Sequence, residues 1–283
     1  MKVIASIQDM TRFSQTLRIQ NQTIAFVPTM GFLHDGHLAL MKEGKKRADH
    51  LVVSIFVNPA QFGPTEDFST YPRALAQDLE QCRQVGASAV FTPSEAQMYP
   101  SGFETYVGLE KLPFHLCGLS RPAFFRGVAT VVTKLFNIVR PHYALFGEKD
   151  FQQLAVIQRL VRDLNFDIEI VGVPIVREPD GLAMSSRNKY LSPDQRPCAL
   201  LLHQCLETIE KMVQQGETDA GKLQDQAEKI LASVPDMRVD YVSICDPETL
   251  EPVPVIAGQV LCAMAVWLGK TRLIDNRVMG PRT

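Results

Sequence analysis

The feature that most constrains the fold is a pair of short apolar runs separated by a helical segment. The runs are TIAFVP, residues 23–28, and LVVSIFVN, residues 51–58. Between them Leu38, Met41 and Ala48 recur at helical spacing, which predicts a strand, a helix and a second strand. Apolar strands joined through a helix are typical of parallel sheets with right-handed crossovers. This segment alone therefore predicts an α/β fold.

The same alternation continues over the first 175 or so residues. Helices are predicted over 73–86, 126–140 and 150–164, and strands over 88–93, 142–147 and 166–176. This order predicts a Rossmann-like, doubly wound parallel sheet over residues 1–175. After Val176 the pattern changes to two helical stretches, around 193–214 and 218–233, followed by three strand-like pieces. Residues 176–283 are therefore predicted to form a smaller C-terminal α+β lid domain.

Composition limits the classes of ligand and location. The chain has 283 residues, a formal net charge of −2 and 46% hydrophobic residues. Because it has no basic stripe, no nucleic-acid partner is expected, and an anionic ligand needs a local site. No apolar run approaches membrane-spanning length and no signal-like segment is evident, so we expect a cytoplasmic protein without a membrane partner. The six cysteines are scattered, without a Cys-x-x-Cys pair, which favours reduced thiols.

The turn after the first apolar run contains the sequence HDGH, residues 34–37. A helix that begins at the carboxyl end of a strand offers free N–H groups to anions, and two imidazoles add ring N–H donors. Three interpretations stay open at this point: a metal site, phosphate binding, and histidines that simply pack. The sequence has no cysteine or carboxylate pair at ligand spacing to complete a zinc site. Phosphate binding requires a partner motif elsewhere.

Two further segments are candidates for that partner. GLAMSSRNKYL, residues 181–191, places two hydroxyls and a guanidinium behind a glycine, which suits a polyphosphate. GEKDFQQ, residues 147–153, places Lys149 after a strand, where its charge would stabilise a transferring phosphate. Each segment also has a plainer interpretation. Residues 181–191 could be a loop that caps the next helix, and residues 147–153 a solvated charged turn. The patterns GxxxxGK[ST] and, after the first strand, GxGxxG do not occur.

The order of the motifs resembles one enzyme family. The sequence contains, in this order, VPTMGFLHDGH, SIFVNPAQF, YPR, FFRGVATVVTKLFN, FGEKDFQQL, VGVPIVREPDGLAMSSRN and RLIDN. HDGH with the Ser-Ser-Arg loop resembles the nucleotidyltransferase superfamily, and the ordered set resembles the pantoate–β-alanine ligase family over essentially the whole chain. The resemblance implies ATP-dependent condensation of (R)-pantoate with β-alanine to pantothenate, through a pantoyl-adenylate, with release of AMP and pyrophosphate. It also implies Mg²⁺ on the phosphates and a homodimer.

The resemblance further implies roles for particular residues. The catalytic residues would be His34, His37, Lys149 and Arg187, with His37 as proton donor. The ATP site would comprise Met30, Gly31, Phe32, Leu33, His34, Asp35, Gly36, His37, Gly147, Glu148, Lys149, Asp150, Val176, Met184, Ser185, Ser186 and Arg187. The site for pantoate and β-alanine would comprise Gln61, Gln153, Asn58 and Arg121. The protein ligands of Mg²⁺ stay unknown at this point, with Asp78 as a candidate.

Two positions depart from the family pattern, and two other functions remain as alternatives. Phe124 stands where a histidine is common, which would lower the affinity for pantoate if that histidine contacts the substrate. Ala60 stands where a methionine is frequent, which would widen the pantoate pocket. The runner-up function is a nucleotidyltransferase acting on a phosphorylated acceptor, which would leave Gln61 and Gln153 without an evident use. A catalytically idle nucleotide-binding module would be expected to lack at least one of the four catalytic residues, and the sequence has all four.

Overall fold

A parallel sheet and a smaller antiparallel sheet organise the chain in a computed structural model that describes residues 1–63, 66 and 68–281. The first sheet and its helices comprise β1 (Lys2–Ile4), α1 (Ile7–Ile19), β2 (Ile24–Thr29), α2 (Asp35–Arg47), β3 (His50–Ile55), α3 (Leu75–Val85), β4 (Ala89–Phe91), α4 (Glu95–Met98), α5 (Cys117–Ser120), α6 (Phe124–Val139), β5 (Tyr143–Gly147), α7 (Phe151–Asp163) and β6 (Glu169–Val173). Then follow α8 (Gln195–Ala199), α9 (Leu201–Gln214), α10 (Ala220–Leu231), β7 (Met237–Cys245), β8 (Val260–Leu268) and β9 (Thr271–Met279). Short 3₁₀ turns lie at Pro59–Gln61, Leu112–Phe114, Glu148–Asp150 and Ser186–Tyr190.

The parallel sheet has the strand order β1-β4-β3-β2-β5-β6. From β2 the chain moves outward through β3 to β4, and it then returns to place β5 on the other side of β2. The direction of winding therefore reverses between β2 and β5. Ligands of open α/β sheets bind beyond the carboxyl ends of the strands at such a point. The turns that leave β2 and β5 there contain the motifs HDGH and GEKD.

Helices cover both faces of the parallel sheet, as the side chains of β2 show. Phe26 packs in an apolar cluster with residues of α1, α6 and α7, whereas Ala25 and Val27 pack in a second cluster with residues of α2 and α3. Successive residues of a strand point to opposite faces, so both faces of β2 are buried. The predicted doubly wound arrangement is confirmed.

The smaller sheet is antiparallel, with the order β7-β8-β9. Cys262 and Met264 of β8 pack with α9 and α10, whereas Leu261 and Ala263 pack in the cluster that contains α6 and α7. This sheet therefore has its own helices on one face and the parallel-sheet region on the other. As a result β9 lies beside the turn that leaves β5.

Most predicted elements are confirmed, with ends that differ by a few residues. The helical stretch predicted around 193–214 is divided between α8 and α9 at Leu200. The sequence pattern did not predict β1 or α1. A strand of three residues is too short for an alternation to be recognised, but α1 has a cap signal, since Ser6 accepts the N–H of Asp9 at 3.0 Å. The domain boundary near residue 176 stays a prediction.

All six cysteines are free, as the sequence predicted. Cys82, Cys205, Cys245 and Cys262 are buried. Burial raises the pKa of the Cys82 and Cys205 thiols to about 12, because the thiolate would lose its hydration there. These four side chains therefore act as small apolar groups of the core.

Helix α6 approaches the turn after β3 so closely that residue 127 has to be glycine. A Cβ at Gly127 would lie 2.1 Å from the carbonyl oxygen of Ala60 and 2.6 Å from the amide nitrogen of Gln61. Both are main-chain atoms, so they cannot rotate away as a flexible side chain can. The FFRG motif therefore supports the turn that carries Asn58 and Gln61.

Gly127→Ala is expected to lower the free energy of unfolding by about 1–3 kcal/mol, the usual cost of an overpacked site. The sign of this change in the free energy of unfolding is informative, because alanine is otherwise favoured over glycine in a helix interior by ~1 kcal/mol. Gly258→Ala is the control, since nothing lies within 4 Å of a Cβ at that position. Urea unfolding followed by circular dichroism measures both variants. A Gly127→Ala protein as stable as the wild type would contradict the close approach.

Candidate active site

A cavity of about 660 Å³ lies at the carboxyl ends of β2 and β5. It lies between the two sheets, since Tyr241 of β7 and Arg272 of β9 also line it. The predicted residues that line it are Met30, His34, Gly36, His37, Asn58, Gln61, Arg121, Gly147, Lys149, Asp150, Gln153, Val176, Met184, Ser185, Ser186 and Arg187. The structure thus brings together residues that are up to 157 positions apart in the chain, from Met30 to Arg187.

Five residues predicted for the ATP site do not line the cavity: Gly31, Phe32, Leu33, Asp35 and Glu148. The first three form the turn between β2 and α2, and Asp35 is exposed. The main-chain oxygen of Glu148 accepts a hydrogen bond from Asn276. These five residues therefore lie next to the cavity and do not line it.

The side chain of Asp78, on α3, holds the turn between β2 and α2. Its two carboxylate oxygens accept the N–H groups of Phe32 and Leu33 at 2.9 and 2.8 Å. The residue is 2% exposed. The carboxylate that the sequence offered as a metal ligand is therefore engaged with the main chain.

His34 and His37 contact each other at the start of α2, with ring centroids 4.1 Å apart. The Nδ1 atom of His37 accepts the N–H of His34 at 3.3 Å. A neutral imidazole that accepts at Nδ1 carries its proton on Nε2. His37 therefore lines the cavity as an Nε2–H donor. Gly36 leaves room for this arrangement, because a Cβ there would lie 2.9 Å from the His34 ring.

Both imidazoles are neutral at pH 7. Removal from water, and then the charge of Lys149, lowers the pKa of His34 to about 4. Removal from water, with smaller effects of His34 and Lys149, lowers the pKa of His37 to about 3. The pair therefore provides uncharged hydrogen-bond donors, and positive charge in the same cavity comes from other side chains, among them Lys149 and Arg187.

The Ser-Ser-Arg loop contacts the histidine turn. Ser185 accepts the N–H of Arg187 at 3.2 Å and begins a 3₁₀ turn, so the plainer interpretation as a cap is correct for this hydroxyl. Ser186 donates through Oγ to the carbonyl oxygen of Phe32 at 3.4 Å. The loop therefore both caps its own helix and lines the cavity beside the histidines.

Strand β9 anchors the two loops that border the cavity. Asp275 is 3% exposed and accepts from Arg177 at 2.7 and 3.0 Å. Asn276 donates to the carbonyl oxygens of Glu148 and Lys149 at 3.0 and 2.9 Å. No role for these two residues follows from the sequence, although the RLIDN motif contains both. Their function depends on partners about 100 positions away, which no local pattern reveals.

A chain of hydrogen bonds orients the amide of Gln61. The hydroxyl of Tyr99 donates to Asn58 Oδ1 at 2.7 Å, and Asn58 Nδ2 donates to Gln61 Oε1 at 3.0 Å. The Oε1 atom of Gln61 is thus occupied, and its Nε2 lies 3.3 Å from the sulfur of Met30. One N–H of Gln61 donates to that sulfur, which leaves the second N–H as the donor that Gln61 offers to the cavity. Asn58 is 1% exposed and positions Gln61.

Arg121 lines the same part of the cavity with its charge balanced. Its guanidinium donates to Glu66 at 2.7 and 2.5 Å and lies 3.8 Å from the ring centroid of Phe124. The phenylalanine that replaces the common histidine thus stacks on Arg121. Ala60 does not line this cavity but a separate one of about 390 Å³, beside Tyr99, so it does not widen this cavity.

The described residues do not fit a metal centre built by the protein. Within residues 1–63, 66 and 68–281, no group of three or more His, Cys, Asp or Glu side chains is able to hold a metal ion. His34 and His37 pack against each other and Nδ1 of His37 is engaged, which does not support the metal interpretation of the pair. The choice between packing and phosphate binding is not exclusive here, because the packed pair lines a cavity that Lys149 and Arg187 also line.

Comparisons with known proteins identify one family. The family model described as pantoate-beta-alanine ligase matches residues 2–278. The pantothenate synthetase of Geobacter sulfurreducens is 57% identical over 280 residues, which cover 99% of each chain. That of Desulfatibacillum aliphaticivorans is 55% identical over 281 residues, 99% of this chain and 100% of the relative.

Solved structures give the same result. The crystal structure of pantothenate synthetase from Thermus thermophilus has a TM-score of 0.92 at 42% identity, and the match covers 98% of this chain and 99% of that one. The pantoate-beta-alanine ligase from Francisella tularensis, complexed with beta-gamma ATP and beta-alanine, has a TM-score of 0.80 at 33% identity, covering 98% and 97%.

The lowered histidine pKa values predict a loss of stability in acid. Both folded-state pKa values lie below the ordinary value of 6.5, so the unfolded chain binds protons that the folded chain does not. The free energy of unfolding is thus retained above about pH 6.5 and falls toward pH 4 by about 1.4 kcal/mol per pH unit for each histidine. His37→Asn is expected to remove one such contribution, because its neutral oxygen still accepts the His34 N–H.

Urea unfolding of both proteins from about pH 5 to about pH 8 measures this difference. Other titrating groups are common to the two proteins and cancel in the comparison. The two curves should run parallel above about pH 7 and diverge below it. Equal slopes throughout would show that His37 takes up no proton on unfolding.

Proposed function

Because the chain belongs to the pantoate–β-alanine ligase family, we propose that it joins (R)-pantoate to β-alanine through a pantoyl-adenylate, releasing AMP and pyrophosphate. Members of this family are ligases, and this chain is one of them. The observation that carries the proposal is the convergence of the six predicted residues on one cavity: His34, His37, Lys149, Arg187, Gln61 and Gln153. The complex of the Francisella relative with beta-gamma ATP and beta-alanine supports ATP as a substrate here.

In the first proposed step, a carboxylate oxygen of pantoate attacks the α-phosphorus of ATP. The bond to the β-phosphate breaks and its electron pair leaves with pyrophosphate. Negative charge increases on the phosphate oxygens, where preorganised donors and cations lower the barrier. Lys149 and Arg187 would supply charge, and the Nε2–H of His37 would supply an uncharged donor whose direction is fixed by its contact with His34.

In the second proposed step, the amine of β-alanine attacks the acyl carbon of the adenylate. The acyl C–O bond breaks, AMP leaves, and the amine loses a proton as the amide forms. Activation is needed because a free carboxylate is a poor acyl donor. Gln61 and Gln153 would orient pantoate through both steps, and as neutral amides they bind a carboxylate without cancelling its charge.

The glutamines also separate this proposal from the alternative of a nucleotidyltransferase. A phosphorylated acceptor needs cations for its extra charge. The cavity wall near Gln61 instead contains an oriented amide, and the guanidinium of Arg121 there is already paired with Glu66. Mg²⁺ enters the proposal only with the substrate triphosphate, because the described residues include no protein-only metal site.

Three features of the predicted biology stay predictions. We propose the homodimer from the resemblance, the cytoplasmic location from the sequence, and closure of the C-terminal lid domain over ATP from the loop that joins the two regions. In the described parts of the chain, no helix combines the length and the apolar character needed to span a membrane.

The adenylation step is tested by exchange of labelled pyrophosphate into ATP, with pantoate present and β-alanine omitted. The proposed reaction predicts exchange that depends on pantoate. His37→Ala is expected to slow this exchange by about 100-fold or more, the usual cost of removing a donor to developing charge. His50→Ala is the matched control, because His50 lies at the amino end of β3, away from the cavity, and is expected to retain exchange.

Exchange without pantoate, or with a phosphorylated acceptor in its place, would favour the nucleotidyltransferase. ATP binding without any exchange would favour an idle nucleotide-binding module. A His37→Ala protein within about tenfold of the wild-type rate would remove His37 from the proposed role.

Asn58→Ala is expected to raise the KM for pantoate by about tenfold or more, because Gln61 loses the partner that orients its amide. The kcat should change less, since no group that contacts the phosphates is altered. Tyr99→Phe is the graded comparison, because it removes only the outer hydrogen bond of the chain. Steady-state kinetics with pantoate varied measures both. An unchanged KM in Asn58→Ala would show that Gln61 needs no such support.

A further inference from the structure

The turn that carries the two histidines has an unusual backbone. Gly31 has φ +81° and Phe32 has φ +51°, so two successive residues adopt the left-handed conformation. Glycine adopts it readily, but a phenylalanine does so only where the surroundings hold it there. Some contact outside the turn must therefore stabilise this backbone.

Asp78 is that contact. Each of its carboxylate oxygens accepts one N–H, from Phe32 and from Leu33, which spans the strained position on both sides. The fit is tight, because a Cβ at Gly31 would lie 2.9 Å from Asp78 Oδ2 and 3.0 Å from a methyl group of Ile55. Buried hydrogen bonds to a carboxylate are strong, and a buried N–H without a partner is costly.

We call the two hydrogen bonds from Phe32 and Leu33 to Asp78 the clamp. It lies next to the proposed phosphate site. Leu33 precedes His34, whose N–H is accepted by His37 Nδ1, so the held turn leads directly into the contact that fixes the His37 ring. The same turn meets the Ser-Ser-Arg loop. The carbonyl of Phe32 accepts from Ser186, and the Phe32 ring lies 3.9 Å from the ammonium of Lys189.

We propose that Asp78 is a positioning residue that holds the left-handed turn and thereby aims His34 and His37 at the phosphates during adenylation. It is not a ligand of Mg²⁺, because both oxygens are engaged with N–H groups and the side chain is 2% exposed. This inference rests on the proposed function, since the step it serves is the attack on ATP.

Asp78→Asn replaces one acceptor oxygen with an NH₂ group that faces an N–H donor. We expect the kcat of pantoate-dependent pyrophosphate exchange to fall by about 30-fold or more, because a small displacement of catalytic groups is costly. The KM values for ATP and pantoate should stay within about threefold, and the Mg²⁺ concentration at half-maximal rate within about twofold.

Asp49→Asn is the matched control. Asp49 also accepts a main-chain N–H, from Thr23 at 2.8 Å, but it lies at the amino end of β3, away from the cavity. The Asp49→Asn protein is expected to catalyse pyrophosphate exchange at the wild-type rate. A kcat of Asp78→Asn within about threefold of wild type would overturn the proposal. So would a shift of the Mg²⁺ midpoint by about tenfold with the rate restored at high Mg²⁺, which indicates a metal ligand.

Hydrogen exchange tests the clamp without any activity. In the wild type without ligands, the main-chain amides of Phe32 and Leu33 should be protected from hydrogen exchange. In Asp78→Asn both amides should lose this protection. Mass spectrometry of a peptide spanning residues 28–38 reports this release, and unchanged protection would overturn the clamp. If the wild-type protein shows no pantoate-dependent pyrophosphate exchange, the proposed function fails. Hydrogen exchange still shows in that case whether Asp78 holds the turn.

Gly31→Ala provides a second variant if Asp78→Asn does not fold. It retains the carboxylate but forces it away from the turn, because the added Cβ has no room. It should reproduce the loss of kcat and of amide protection. Wild-type values for both in folded Gly31→Ala would overturn the proposal.

Discussion

The reversal of winding between β2 and β5 is the constraint on which the site depends. Two adjacent parallel strands end at the same edge, and their connections leave in opposite directions, so an opening forms between them. The turn after β2 starts a helix, which supplies imidazoles and a favourable dipole, and the turn after β5 supplies Lys149. Neither turn is a binding site alone. The sheet makes them one site because it fixes their separation through main-chain hydrogen bonds.

Strand β9 of the second sheet borders the cavity at the carboxyl ends of β2 and β5. Asn276 holds the main chain at Glu148 and Lys149, and Asp275 holds the loop that leads to Ser185 through Arg177. These contacts are to main-chain carbonyls or to a buried ion pair, so they fix backbone position more than side-chain chemistry. The main chain at Lys149 is therefore held by a residue of the second sheet.

Sequence patterns predicted the parts of this structure that depend on nearby residues. The buried strands, the amphipathic helices and the turns after β2 and β5 follow from periodicity and glycine positions, so their order and the edge they share could be derived. The clamp by Asp78 and the chain from Tyr99 through Asn58 could not, because both join segments that become neighbours only after folding. Most residues that the resemblance named line the cavity, but Ala60 does not, since its carbonyl packs against Gly127 and it lines another cavity.

The distribution of charge in the cavity follows from the nucleophile in the proposed reaction. A pantoate carboxylate must stay anionic and available, so a strong cation bound to it would stabilise the ground state more than the transition state. The wall beside Gln61 meets this requirement, because it presents an oriented neutral amide and because Arg121 is already paired with Glu66. Charge is useful where it increases during the proposed step, at the phosphates, which the proposal places near Lys149, Arg187 and the uncharged imidazoles. The lowered pKa values of those imidazoles are thus a consequence of packing them into a site whose cations are supplied by other loops.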